Sequence, residues 1–189
     1  MLGGIICINR NGLRWRDTLR EYGPYKALHD RWIRWSRMGV FARIMAGLAA
    51  GRADCRTIVN GGINTRLHAV TDREGRPVRL FVTAGQVSDD KGALQSDFPE
   101  ADWLIADRGY DADWFREALS DSKIRACIPP RKSRTVPINY DKRRYRRRHR
   151  IEIVFARIKD WRRVATRYDR CPKVFFSAIA LAATVIYWL

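Results

Sequence analysis

Residues 145–159, with the sequence YRRRHRIEIVFARIK, are the stretch around which the rest of this 189-residue chain is organised. On an α-helix, at about 100° per residue, four of them fall on one narrow stripe at gaps of 3, 4 and 7 positions: Tyr145, Arg148, Glu152 and Lys159. A second stripe is apolar and can face a core, and it consists of Ile151, Val154, Phe155 and Ile158. The pattern predicts a helix buried on one side, with one carboxylate among cations on the other, where the cations could also hold a phosphate.

The spacing Tyr-x2-Arg-x3-Glu-x6-Lys resembles the signature of the DDE transposases of bacterial insertion sequences. The stretches LIADRGYDADWFREAL at 104–119 and KDWRRVATRYDRCPKVFFSAIALAATVIYWL at 159–189 are similar to other blocks of that family, and the resemblance runs from Leu2 to Leu189. It implies a transposase that binds the ends of its element and catalyses metal-dependent phosphodiester cleavage and strand transfer. An alternative is a non-catalytic DNA-binding remnant that occupies or represses those ends.

The resemblance also implies site residues. In that family three carboxylates on an RNase H-like fold hold two divalent metal ions, and similarity assigns Asp107 as the second and Glu152 as the third. Both are then catalytic residues and ligands of Mg²⁺ or Mn²⁺, which oxygen ligands suit. The resemblance makes Arg148 and Lys159 phosphate contacts and Tyr145 a positioning hydroxyl. The other expected DNA contacts are neighbouring arginines: Arg143, Arg144, Arg146, Arg147, Arg162 and Arg163.

The first family carboxylate has no counterpart. The stretch ARIMAGLAAGRADC at 42–55 leads almost directly into GGINTRLHAV at 61–70, where the family has a strand that bears the first Asp. We therefore expect residues 51–62 to form a polar loop and the sheet to lack its central first strand. We also expect that an N-terminal piece found in the family is missing here. Asp54 is the acid nearest the gap and, without an apolar strand around it, is not expected to replace the missing ligand.

Net charge points to a nucleic-acid partner. The chain carries a net charge of +17 at neutral pH, with an isoelectric point near 10.6. Because self-repulsion of this size destabilises the compact state, it indicates that the chain binds a polyanionic partner. Sixteen lysines and arginines against four acids lie between 131 and 170. A basic run alone is also typical of a solvated tail or an RNA-binding structural protein. The embedded signature and the Asp107/Glu152 pair favour double-stranded DNA, both the element ends and the target, bound by a homodimer.

Several other classes of protein are not indicated. Cys7, Cys55, Cys127 and Cys171 lack zinc-ligand spacing and suggest reduced thiols. The apolar run 174–189 is shorter than a membrane span needs, and Asn60-Gly61-Gly62 lacks the lysine of a phosphate-binding loop. We expect a protein of the bacterial cytoplasm, associated with the nucleoid, that neither enters a membrane nor uses ATP.

The order of elements predicts an RNase H-like α/β fold. Residues 24–50 read as two helices joined at Gly39, with an arginine row that could enter a DNA groove or only form a solvated edge. Alternation predicts a hairpin of strands 63–71 and 78–83, and the apolar strand 103–106 ends on Asp107. Asp111 is expected to cap the next helix. We divide the chain into a helical segment expected to bind DNA, 1–50, and an incomplete DDE catalytic domain, 51–189.

Overall fold

The structure, a computed structural model, describes residues 1–50, 56–61, 65–84 and 101–189. The chain falls into two compact units, one of 1–50 with 154–189 and one of 51–153. The functional division at residue 50 stays a prediction. No helix in the described ranges combines the length and hydropathy that a membrane crossing requires. The described helices are α1 (Leu2–Asn11), α2 (Tyr25–Arg37), α3 (Val40–Ala49), α4 (Asp113–Asp121), α5 (Lys142–Tyr145), α6 (His149–Lys159), α7 (Arg162–Ala165) and α8 (Pro172–Tyr187).

The 51–153 unit contains a five-stranded sheet. The strands are β1 (Arg56–Gly61), β2 (Thr65–Thr71), β3 (Pro77–Ala84), β4 (Trp103–Ala106) and β5 (Arg125–Cys127), in the order β3-β2-β1-β4-β5. β1, β2 and β3 pair antiparallel, whereas β1, β4 and β5 run parallel. The predicted hairpin and the predicted buried strand therefore share one sheet, and the predicted RNase H-like α/β fold is confirmed.

One expectation about this sheet is wrong. Residues 56–61 are not a loop; they form β1 at the centre of the sheet, between β2 and β4. Thr57, Ile58 and Val59 are β-branched and suit a strand, and the facing backbone groups of β2 and β4 need partners. The central strand is therefore present, but its sequence, RTIVNG, contains no carboxylate.

The sheet packs against α4 through a buried apolar cluster. The cluster contains Leu104 and Ala106 of β4, Tyr110 of the turn after β4, and Phe115 and Leu119 of α4. Because four of the five are fully buried and the fifth nearly so, the chain segment that follows β4 is held firmly against the sheet.

His68 of β2 adds a polar link to this cluster. Its Nδ1 lies 3.1 Å from the Tyr110 hydroxyl and its Nε2 lies 2.8 Å from Thr83 Oγ1. The imidazole is fully buried and stacks on Phe81 with ring centroids 4.6 Å apart. The hydrogen bonds offset the cost of burying these polar groups and tie β2 and β3 to the residues after β4.

The helical unit packs α1 against α7 and α3 against α8. Gly12 ends α1 with φ of 67°, and a Cβ there would lie 2.8 Å from Cβ of Arg162 in α7. Glycine permits both the left-handed backbone and this close approach. Gly39 has φ of 65° between α2 and α3, so the predicted boundary at Gly39 is confirmed.

The signature stretch is not one regular α-helix. α5 ends at Tyr145, a 3₁₀ turn covers Arg146–Arg148, and α6 starts at His149. Tight turns of this kind are common next to helix N-termini. Ile151, Val154 and Ile158 are buried, so three of the four residues predicted for the apolar stripe are fully confirmed.

Candidate active site

Asp107 directly follows β4, at the carboxyl end of a strand that runs parallel to both of its neighbours. This is the edge where α/β sheets build sites. Its Oδ1 accepts a hydrogen bond of 2.8 Å from the Gly109 backbone N–H, which caps the 3₁₀ turn Arg108–Tyr110. The side chain is 27% exposed, so the carboxylate is oriented by its own turn and remains accessible.

Arg148 brings the two predicted catalytic carboxylates together. Its Nη1 lies 2.7 Å from Glu152 Oε1, one helical turn along the chain, and its Nη2 lies 3.7 Å from Asp107 Oδ2. Glu152 is 60% exposed. The Arg148 Nε atom is buried and has no hydrogen-bond partner among the described residues. One guanidinium therefore contacts both acids and keeps an unused donor.

Tyr145 is half-buried beside this group. Burial raises the pKa of its hydroxyl and outweighs the opposite effect of Arg148. The hydroxyl is therefore neutral at physiological pH and can donate a hydrogen bond. The ring packs edge-on against Tyr140, with centroids 5.5 Å apart, which restricts its orientation.

Asp111 does not have the role that the sequence analysis predicted for it. It does not cap α4, whose N-cap is Ala112. Its carboxylate has no exposed surface and accepts from Arg116 Nε at 2.8 Å and from Arg134 Nε at 3.0 Å. Burial alone would raise the pKa of Asp111, but these bonds and one from the Arg131 backbone N–H outweigh it and hold the pKa below its usual value.

Some of the predicted DNA contacts are exposed, and some are held within the protein. Arg144 is half-buried, with its guanidinium 4.1 Å from the Trp103 ring centroid and 3.3 Å from Asp141 Oδ2. The exposed members of the predicted set are Arg143, Arg146, Arg147, Lys159 and Arg162. Lys159 and Arg162 belong to the helical unit.

Arg163 requires a correction, because it is 2% exposed. Its Nε and Nη2 donate to Asp169 at 2.8 and 3.0 Å. The guanidinium also lies 5.1 Å from the Trp15 ring and 4.5 Å from the Tyr168 ring. A guanidinium enclosed in this way stabilises the helical unit and cannot receive a phosphate in this conformation.

Asp107 and Glu152 are the residues predicted to hold a divalent cation. Asp107 and Glu152 offer oxygen donors on either side of Arg148, and oxygen is what Mg²⁺ and Mn²⁺ prefer. Two metal ions need further carboxylates that bridge and flank them. In the part of the chain that the structure describes, no group of three or more His, Cys, Asp or Glu residues could hold a metal ion. Asp54 lies outside the described residues.

Comparison with known proteins decides the family. Residues 104–189 match the family described as "Transposase DDE domain", and residues 1–45 match "Putative transposase of IS4/5 family". The chain is 35% identical over 130 residues to the "Putative transposase for insertion sequence element IS6501" of Brucella ovis, covering 67% of this chain and 99% of that protein. The chain belongs to the DDE transposases of insertion sequences.

Two further similarities accompany this assignment. An uncharacterised protein, y4sN, of Sinorhizobium fredii is 34% identical over 67 residues, which are 35% of this chain and 53% of that protein. Among solved structures, the catalytic core domain of BIV integrase matches with a TM-score of 0.45 and 14% identity, over 70% of this chain and 82% of that one. As a DDE transposase the chain belongs to an enzyme family of DNA transposition, whose substrate is DNA and which normally uses a divalent metal.

Proposed function

We propose that this transposase binds the ends of its element through exposed cations of the basic segment 131–170, and that Asp107 and Glu152 hold a single Mg²⁺ or Mn²⁺ beside the bound strand. The observation that carries the proposal is the position of Arg148, whose guanidinium contacts both carboxylates. When bound, the metal would polarise a scissile phosphodiester and lower the pKa of an attacking water or 3′-hydroxyl.

Arg148 has two alternative partners in this proposal. In the free protein its guanidinium neutralises Asp107 and Glu152, and in the complex it donates to a backbone phosphate. Its buried Nε without a partner among the described residues supports the exchange, because an unsatisfied buried donor costs about 1–3 kcal/mol and a bidentate phosphate contact removes that cost.

Tyr145 and the exposed cations complete the proposed DNA contact. The neutral Tyr145 hydroxyl can donate to a phosphate oxygen and fix the register of the strand. Arg143, Arg146 and Arg147 supply charge that is independent of sequence. Lys159 and Arg162 belong to the helical unit and are proposed separately as phosphate contacts. Arg163 is omitted because it is enclosed by its own unit.

Two ends of an element must be held together for transfer, and each needs a bound copy of the protein. We therefore propose a homodimer on DNA, acting on nucleoid DNA in the bacterial cytoplasm. No ATP site is included, because phosphodiester transfer needs no nucleotide.

The test is DNA binding by fluorescence anisotropy, with a labelled duplex that carries one element end and a scrambled duplex of equal length. Arg148→Gln should weaken binding to the end at least tenfold, whereas the exposed Arg147→Gln should weaken it severalfold or less. Equal binding by wild type and Arg148→Gln would contradict the proposed role of Arg148. Absence of any binding by the wild type would contradict the proposed function as a whole.

A further inference from the structure

Arg131 belongs to the basic region, yet its guanidinium contacts the protein itself. Its Nη2 donates to the Gly109 carbonyl at 2.6 Å and its Nε donates to the Arg108 carbonyl at 3.2 Å. Both carbonyls lie in the 3₁₀ turn that starts after Asp107. A planar guanidinium makes two such bonds in one fixed geometry, so this side chain restrains the turn although it is exposed.

The restrained turn is the one that orients Asp107. The Gly109 N–H donates to Asp107 Oδ1 at 2.8 Å, and the Gly109 carbonyl is the acceptor for Arg131. The backbone of one residue thus connects the guanidinium with the carboxylate. A shift of this turn would move the Asp107 oxygens relative to Arg148 and Glu152.

Arg131 is itself held in place by Asp111. The Arg131 backbone N–H donates to Asp111 Oδ2 at 2.7 Å, and this carboxylate is fully buried between Arg116 and Arg134. Arg116 also donates to the Ile128 carbonyl, just after β5, at 2.8 Å. The start of the basic loop is therefore fixed to α4 and to the end of a strand, which gives the Arg131 side chain a firm base.

We infer that Arg131 is a positioning residue for Asp107, acting through Gly109, and that Asp111 supports it. This inference rests on the proposed function, in which Asp107 is a metal ligand. Charge alone would assign Arg131 to the phosphate backbone, as for its neighbours. Its hydrogen bonds to two carbonyls of the turn indicate instead that it fixes the position of the turn that carries Asp107.

The experiment compares Arg131→Gln with Lys132→Gln, an equal loss of charge at the next, exposed position. Amide hydrogen exchange is measured on the protein without DNA or metal. In Arg131→Gln the Gly109 and Tyr110 amides should exchange about tenfold faster, while the Leu104–Ala106 amides of β4 stay as in wild type. Lys132→Gln should resemble wild type throughout. Arg131→Lys should recover part of the protection, since an ammonium can donate to one of the two carbonyls.

A second readout follows Mn²⁺ binding by electron paramagnetic resonance. Arg131→Gln should weaken Mn²⁺ binding severalfold, and Lys132→Gln should not. If Gly109 and Tyr110 exchange equally in the two variants, the inference is overturned and Arg131 is a plain surface cation. If exchange rises but wild type binds no Mn²⁺, the positioning contact stands and the proposed metal role of Asp107 fails.

Discussion

The Arg148 guanidinium lies 2.7 Å from the Glu152 carboxylate, one turn along the chain, and the same guanidinium reaches Asp107 at 3.7 Å. In the free protein a side-chain cation therefore contacts both acids that we propose as metal ligands. Under that proposal the guanidinium competes with the metal ion for the carboxylates, and a DNA phosphate would give it another partner.

The first prediction concerns this exchange. Without DNA, Arg148→Gln should bind Mn²⁺ severalfold more tightly than wild type, because the two carboxylates no longer share their charge with a guanidinium. Isothermal titration calorimetry measures the affinity, with the exposed Arg147→Gln as the charge-matched control. By linkage, wild type should bind Mn²⁺ more tightly when an element-end duplex is present. Equal Mn²⁺ affinity in wild type and Arg148→Gln would contradict the competition.

The second prediction concerns the salt dependence of DNA binding. Replacing the exposed Arg143, Arg146 and Arg147 by Ala should flatten the log–log dependence of affinity on salt by about 0.9 for each phosphate that the protein no longer neutralises. Anisotropy titrations at several salt concentrations give the slope. Arg144→Ala is the comparison: its guanidinium is held on Trp103 and Asp141, so it should change the slope less than any exposed member. An unchanged slope in the triple variant would show that these three arginines do not contact the DNA backbone.

The third prediction separates two neighbouring arginines. Arg163→Ala should lower the free energy of unfolding by about 3–5 kcal/mol, because it leaves the partly buried Asp169 without its partner. Arg162→Ala changes an exposed residue and should stay within about 0.5 kcal/mol of wild type. Urea unfolding measures both. A similar, small effect of the two substitutions would mean that Arg163 is a surface cation after all.

These predictions also mark where sequence reasoning succeeded. The Arg148–Glu152 pair is local, four residues apart on one helical face, and the spacing was enough to predict it. The hairpin and β4 follow from alternation and from an apolar run. The strand β1 was missed because Arg56 and Asn60 make it look polar, while its formation depends on β2 and β4, which lie beyond any local window.

Burial within the basic region could not be read from the sequence. Arg162 and Arg163 are adjacent and chemically identical, and only the fold places the second against Asp169 and two aromatic rings. Asp111 looked like a helix cap because it precedes α4, whereas its partners Arg131 and Arg134 lie about twenty residues later. The predicted set of DNA contacts was therefore too broad, and the support for the Asp107 turn was missed.

The fourth prediction concerns acid stability. The pKa of Asp111 is lowered in the folded protein by Arg134, Arg131 and Arg116, so the unfolded chain binds its proton at a higher pH. The ionised Asp111 carboxylate therefore stabilises the folded protein fully above the pKa of an aspartate in the unfolded chain, about 3.9. This stabilisation is lost as the pH falls through the lower pKa of Asp111 in the folded protein. Arg134→Gln removes one partner and should move the acid-unfolding midpoint, followed by circular dichroism, to higher pH. Lys132→Gln should leave the midpoint unchanged, and an equal midpoint in wild type and Arg134→Gln would contradict the assignment.

The last prediction concerns a third carboxylate for the site. In the parallel ladder between β1 and β4, Ile58 is paired with Ala106, and Val59 and Asp107 are the residues that follow this pair in the two chain segments. β1 carries no acid, so a second metal ion beside the proposed single ion would meet too little negative charge to offset their repulsion. A single ion does not stabilise both the attacking and the leaving oxygen, as a two-metal site does.

We therefore expect the purified chain to bind an element-end duplex but to neither nick nor join it with Mg²⁺ or Mn²⁺, as followed by denaturing gel electrophoresis of labelled strands. Val59→Asp should tighten Mn²⁺ binding and give detectable metal-dependent cutting, because it adds a carboxylate on the strand next to β4. Val59→Asn is the matched control, because asparagine is polar and equal in size to aspartate but carries no negative charge. Cutting by the unmodified chain that disappears in Asp54→Asn would instead identify Asp54 as the third ligand and overturn this account of the site.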